Sequence, residues 1–266
     1  MTTAALETTG YRAPLALQCS DASTGEAVAD GLQAMTWRPG DATTVRTARR
    51  SAISATLSFA TLPGQRVQEF AKVVGDGPVT YPATPPTPFL VSVVDTQRRY
   101  LPQLFHISVP QAAPVAVRLY ADAARPRPAG WGTVHGEVHR NSDGSPVGWA
   151  LVDVTLNGGT RTALCDELGR FLLFLPYPES LPALAGDPPL GNGIADVTWQ
   201  TTVAVRSQPG ALTWPAAPAP SGPPDQASIN GQAAAPLVDG GGQHATLGAT
   251  LTFGVPLLLR LSAVPS

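Results

Sequence analysis

Residues 131–178 read WGTVHGEVHRNSDGSPVGWALVDVTLNGGTRTALCDELGRFLLFLPYP, and their periodicity decides the fold. From Trp131 to His139, Gly132, Val134, Gly136 and Val138 alternate with Thr133, His135, Glu137 and His139, the period of two of a half-buried strand. Asn141 to Pro146 is a turn cluster in which Asp143-Gly144 supplies positive φ and Pro146 ends the ladder. Ala150, Val152, Val154 and Leu156 then point one way, with Trp149, Leu151, Asp153 and Thr155 the other. Asn157-Gly158-Gly159 reverses the chain into a third strand, Thr160 to Cys165. Asp166 to Gly169 turns it again into Arg170 to Leu175, a run apolar on both faces that predicts a strand lying centrally or under a loop.

The order of these parts, with Gly144-Ser145-Pro146-Val147, then Ala150 and Val152, then Asp166, Gly169 and Phe171, resembles the carboxypeptidase regulatory-like, or transthyretin-like, β-sandwich family. The resemblance covers residues 131–178. It implies that Gly144 and Pro146 shape one turn, that Asp166 and Gly169 make a second, and that Phe171 plugs the sandwich. Such domains are mostly non-catalytic attachments, so the resemblance implies fold more than activity.

Composition agrees with an all-β chain. Its 28 prolines, 26 glycines and charged fraction of 14% suit short strands joined by many turns and disfavour long helices. A hydrophobic content of 43% supports a true core, and a net charge of −2 gives no bias toward nucleic acid or anionic lipid. No stretch is long and apolar enough to span a membrane, and Met1 to Glu7 lacks the basic and apolar regions of a signal peptide, which predicts a soluble, cytoplasmic chain. Cys19 and Cys165 fall in strands of different domains. Two buried free thiols are the expectation, with a bridge between them the alternative.

Read in order, residues 1–12 carry no periodicity and predict a flexible arm. Residues 13–122 predict a first sandwich, beginning with Leu15, Leu17 and Cys19. The turn Asp21 to Val28 and the strand Leu32 to Trp37 echo Ser142 to Val147 and the strand after it, an internal repeat that makes the first domain a diverged copy of the second. Further strands are expected at Ile53 to Phe59, with Ile53, Ala55, Leu57 and Phe59 on one face, and at Phe89–Val94, Leu104–Val109 and Val115–Tyr120. A long loop joins Pro63 to Pro88. Residues 123–130, with Pro126 and Pro128, form a stiff linker, and residues 131–266 the second sandwich. In it Val197 to Val205 is a strand, Pro209 to Pro224 wraps the surface, and Thr250 to Leu261 is one closing strand.

Candidate chemistry is sparse. His135, Glu137 and His139 project from one strand face at steps of roughly 6–7 Å, which suits a metal, but His-Gly-Glu-Val-His lacks the helical spacing of the zinc proteases, so a solvated polar face is the expectation. His106 and His244 supply no third ligand, there is no Gly-x-Ser-x-Gly elbow, and Gly240-Gly241-Gly242 reads as a hairpin tip. Asp143, Asp166 and Glu167 are turn carboxylates, with calcium binding as the alternative. Trp37, Trp131, Trp149 and Trp214 suit sugar stacking or, equally, places in the core or at interfaces.

The two-sandwich order, with Asp21 to Val28 and Trp37, Phe89 to Phe105, and Gly144 to Val152 leading to Gly169-Arg170-Phe171, resembles accessory proteins of bacterial phage-tail-like contractile injection systems. That resemblance implies a non-enzymatic structural or adaptor protein without a cofactor, assembling in the cytoplasm with other subunits or with itself through strand edges. A glycan- or surface-binding module is the alternative.

Overall fold

A computed structural model describes residues 8–51, 54–65, 68–72, 85–178, 197–215 and 222–265. They form two β-sandwiches in tandem. In the first, one sheet runs β10 (Val115–Leu119), β2 (Leu15–Asp21), β6 (Leu57–Phe59), β5 (Arg49–Arg50). The facing sheet runs β4 (Asp41–Thr47), β3 (Leu32–Arg38), β8 (Thr87–Asp95), β9 (Gln103–Val109). Leu15, Leu17, Phe59, Phe89 and Val91 fill the space between them. In the second sandwich, β14 (Arg170–Pro176), β11 (Trp131–Arg140), β20 (Leu257–Ala263), β17 (Leu237–Asp239) and β18 (Gly242–His244) make one sheet. The other holds β13 (Gly159–Leu164), β12 (Leu151–Leu156), β15 (Thr198–Arg206) and β16 (Ala234–Ala235), with β19 (Leu247–Thr252) also on β15. Val134, Val152, Val154, Phe171 and Val203 pack in its core. One short helix, α1 (Gln226–Asn230), follows the proline-rich segment.

The pairing repeats between the sandwiches. The first strand of each lies antiparallel to a neighbour on one side, β6 for β2 and β14 for β11. It lies parallel to the last strand on the other, β10 for β2 and β20 for β11, the one parallel pair in each sandwich among the described residues. Likewise β3 lies between β4 and β8 as β12 lies between β13 and β15. The turns after β2 and β11 match bond for bond. Val28 N donates to Cys19 O and Val147 N to Val138 O, both at 2.9 Å, while Gly25 N donates to Asp21 O at 2.8 Å and Gly144 N to Arg140 O at 2.9 Å. Gly25 and Gly144 take φ of +78° and +70°, the left-handed region that glycine enters without penalty.

Several expectations are corrected. Thr8–Arg12, expected in a flexible arm, is a strand, β1, paired with β7 (Gln68–Lys72) from within the long loop. Threonine and tyrosine favour extended backbone, and the ladder pairs main-chain groups of the two strands. Residues 1–7 and, within the loop, 66–67 and 73–84 lie outside the described residues. The strand expected from Ile53 starts only at Leu57, because Ala55 sits at φ +49°; Ile53 lies outside the described residues. Thr250 to Leu261 is two strands in opposite sheets. Gly254, at φ +73°, and Pro256, which has no N–H, break it, so Leu251 is buried whereas Val255, expected on the same face, is 53% exposed. Arg170 to Leu175 is apolar on both faces but is not central. It is the edge strand β14, with Phe171, Leu173 and Leu175 in the core, and its outer face lies under a connecting segment, the other arrangement expected: Leu172 and Phe174 pack with Ala121 of the inter-sandwich connection and with Trp131 at the start of β11.

The turn residues read from the sequence lock the second sandwich. Asp166 accepts from Leu168 N and Arg170 N, both at 2.9 Å, and pairs with the Arg170 guanidinium at 2.7 Å. Gly169 lies at φ +75°, where a Cβ would stand 2.6 Å from Val138 O and 3.1 Å from Val147 N. Gly169→Ala therefore combines a disfavoured backbone with a backbone clash. It is expected to lower stability by about 2–4 kcal/mol in urea unfolding, and a loss under about 1 kcal/mol would contradict the turn's role.

Cys19 and Cys165 are free and sit in separate cores, at 1% and 0% exposure. Burial pushes the Cys19 thiol up to about 12 and the Cys165 thiol well above its ordinary value, the latter helped by the Asp166 charge. Neither thiol is expected to react with a maleimide in the native protein at pH 8, and both are expected to react once it is denatured.

Candidate functional site

The three residues considered for metal binding do not converge. His139 Nε2 is 3.0 Å from Glu137 Oε2, and its Nδ1 is 3.2 Å from Gly144 O, so both ring nitrogens are engaged locally. Burial lowers the His135 imidazole below its ordinary value. Among the described residues there is no group of three or more His, Cys, Asp or Glu side chains placed to hold a metal. Asp143 is an Asx-turn acceptor for Ser145 N at 3.0 Å and Ser145 Oγ at 2.7 Å. His244 and Asp239 close the β17–β18 hairpin at 3.0 Å, beside the triple glycine.

The polar chemistry instead gathers at the junction of the sandwiches. Asp21, at the end of β2 and 2% exposed, accepts from Ser23 N at 2.7 Å and from Tyr100 OH at 3.0 Å. Arg125, in the connection, approaches it at 2.7 Å as an ion pair rather than an aligned hydrogen bond. The guanidinium also lies over the Tyr100 and Phe174 rings, 4.5 and 5.2 Å from their centres, so one cation joins β2, the β8–β9 hairpin and β14. Burial, and then the Asp21 charge, push the Tyr100 phenol up to about 12. Ser23 turns toward the second sandwich: its Oγ accepts from Phe174 N at 3.4 Å and its carbonyl accepts from Arg161. A second clamp lies on the other side. Asp225 caps α1 through Ala227 N at 2.8 Å and accepts from His106 N of β9 at 3.1 Å, with His106 Nδ1 at 2.7 Å. Leu101 and Tyr120 of the first sandwich pack with Leu151, Leu164, Leu212 and Ile229 of the second, an apolar seam between the clamps.

Beside this seam runs a groove of about 520 Å³. Its floor is the outer face of the β4-β3-β8-β9 sheet, a face that in an isolated sandwich would be polar. On β8, Phe89, Val91 and Val93 enter the core, so Leu90 and Val94 point outward with Trp37 and Leu104 beside them. The second sandwich covers part of this face through Pro223 and α1. It leaves Met35, Val45 and Val94 at 37%, 39% and 38% exposure. Trp149, held at φ +60°, forms one wall. The rim carries three carboxylates, Asp122, Asp166 and Glu167, against one guanidinium, Arg170. Trp37 is 5% exposed, and its indole Nε1–H meets no acceptor among the described residues.

Sequence reasoning did not assemble this groove. Its signal is Phe89-Leu90-Val91-Ser92-Val93-Val94, where the period of two breaks because both faces are apolar. The tryptophans also fall differently from free sugar platforms: Trp37 is buried, Trp131 and Trp149 are half-buried against the junction, and Trp214 is 55% exposed.

No protein-family model and no curated protein matches the chain. Among solved structures it is similar to the Bacillus anthracis TIE protein, at 10% identity and a TM-score of 0.27, covering 95% of this chain and 34% of that one. BcpA, the major pilin subunit of Bacillus cereus, is matched at 9% identity and a TM-score of 0.27, over 96% of this chain and 60% of that one. The shaft pilin SpaA of Lactobacillus rhamnosus GG is matched at 9% identity and a TM-score of 0.24, over 98% of each chain. The chain thus spans about a third and three-fifths of the first two proteins. With TM-scores below 0.3, these likenesses do not define a common fold.

Proposed function

We propose that the chain is a non-enzymatic structural adaptor, in which two copies of one sandwich are held at a fixed angle so that partner subunits bind at a fixed spacing. The observation that carries this reading is the junction: Asp21, Tyr100, Arg125 and Phe174 interlock across it, buried, where a mere tether would leave the sandwiches free. Interfaces between domains of one chain are ordinarily small and polar, and motion is the default unless such a seam exists. The pattern resemblance to accessory proteins of contractile injection systems gives the assembly a concrete form: a cytoplasmic particle component that contacts other protein subunits. Affinity purification of the tagged chain from its native host is the test. Sheath or tube proteins recovered in fixed ratio are expected; their absence, together with glycan-array binding lost in Trp149→Ala, would instead establish the surface-binding alternative.

A further inference from the structure

We infer that the cleft between β10-β2 of the first sandwich and β13 of the second binds a phosphate group, as the free ion or as a small phosphate monoester. The pocket, of about 290 Å³, lies at the lower end of the size range of small-ligand sites. The first sandwich supplies Ser20 and Arg118, directly opposite one another on β2 and β10, with Tyr120 just beyond. Val117 and Leu119 enter the core, so strand alternation turns Arg118 to the outside. The second sandwich supplies Thr160, Arg161 and Thr162 of β13. The turn after β2 completes the lining through Ala22 and Gly25.

The charges select the ligand. Arg118 and Arg161 line one polar pocket, yet among the described residues neither forms an ion pair with a carboxylate. The acids close by are already paired: Asp21 with Arg125 at 2.7 Å, and Asp153 with Arg206 at 2.9 Å and with Thr162 Oγ1 at 2.5 Å. Arg161 donates to the Ser23 carbonyl, which anchors its guanidinium at the cleft and leaves further N–H groups to donate. Arg118 is exposed, and its charge, with that of Arg206, opposes the rise that burial imposes on the Tyr120 phenol, so the guanidinium stands near that phenol and not away from the cleft. Two cations in one concave site favour an anion. A planar carboxylate presents a single edge and is matched by one guanidinium, whereas a tetrahedral phosphate offers separate edges to one guanidinium from each sandwich. Ser20 Oγ and Thr160 Oγ1, the latter sharing a 2.8 Å hydrogen bond with Thr155 Oγ1, add neutral donors. The bound group would tie β10 to β13 across the junction. The site requires no partner subunit, so it stands apart from the adaptor reading.

The test follows the phosphorus NMR signal of inorganic phosphate mixed with the full chain, at neutral pH and constant ionic strength. A saturable shift with a dissociation constant on the order of 1 mM is expected. Saturation separates a site from the general exclusion of phosphate from protein surfaces. Arg118→Gln and Arg161→Gln should each weaken binding about tenfold or more. Arg161→Gln also removes the bond to Ser23 O, so Arg118→Gln, expected to keep the wild-type thermal midpoint without phosphate, carries the decision. Arg260→Gln, at an exposed arginine of β20 outside the cleft, should change binding less than about twofold. Sulfate should displace phosphate about tenfold more effectively than acetate does. β-Glycerophosphate binding more tightly than the ion identifies a monoester as the ligand, and equal or weaker binding identifies the free ion; either result upholds the site. No saturation below roughly 10 mM, equal binding to wild type and Arg118→Gln, an equal loss in Arg260→Gln, or acetate competing as well as sulfate would overturn the inference.

Discussion

Asp21→Ala is expected to destabilise the protein by about 3–5 kcal/mol, the loss typical when one member of a buried ion pair is deleted. The carboxylate is 2% exposed and holds three groups at once: the Ser23 N–H that closes the turn, the Tyr100 hydroxyl and the Arg125 guanidinium. Without it, Arg125 stays between the Tyr100 and Phe174 rings with no counter-ion, and burial of an unpaired charge is the dominant penalty. Asp21→Asn keeps an acceptor for Ser23 N and is expected to lose less than Asp21→Ala. Urea unfolding at constant m-value measures both, and a loss under about 1 kcal/mol for Asp21→Ala would show that the junction is not held by this network.

Phe171→Ala is expected to have a comparable effect, about 3–5 kcal/mol, for a different reason. The ring is 1% exposed and lies against Gly136, where a Cβ would fall on the ring and stand 2.7 Å from Leu259 O. Gly136 is thus the space that β11 leaves so that β14 can send the ring inward, and truncating the ring empties a packed centre between Val134, Val147 and Leu173. Gly136→Ala is expected to be strongly destabilising in the wild type and less so in the Phe171→Ala background, because the clash with the ring is then gone and only that with Leu259 O remains; thermal unfolding of the four proteins of the cycle gives the coupling. Additive losses would contradict this packing.

The sandwiches were legible because their signals are local. The alternation around Val134 and Val152, the Asp143-Gly144 and Asp166 to Gly169 turns, and the echo at Asp21 to Val28 each need only neighbours in sequence, and the matching turn hydrogen bonds trace to that echo. β4 escaped notice because its one buried residue is Thr44, leaving no apolar alternation to read, although its threonines and valine favour strands. The doubly apolar faces of β8 and β14 are visible in sequence, but which partner covers each face is not. Leu172 and Phe174 meet Ala121, and Val94 is left over, only after the two sandwiches dock. The junction was hidden for the same reason. Asp21 reads as an ordinary turn residue, Arg125 as part of a proline linker and Tyr100 as a hairpin end, and nothing local says that residues 79 positions apart are hydrogen-bonded. The linker's prolines suggested stiffness, whereas the contacts that fix the angle are made by its arginine.

The central claim, that the junction makes the two sandwiches one cooperative unit, is tested most directly by pulsed thiol labelling across a urea titration. Cys19 reports the first core and Cys165 the second, with no substitution required. The structure predicts that both thiols become reactive at the same urea midpoint in the wild type and at separate midpoints in Asp21→Ala. Two well-resolved midpoints in the wild type would mean that the sandwiches unfold independently, and would contradict the account.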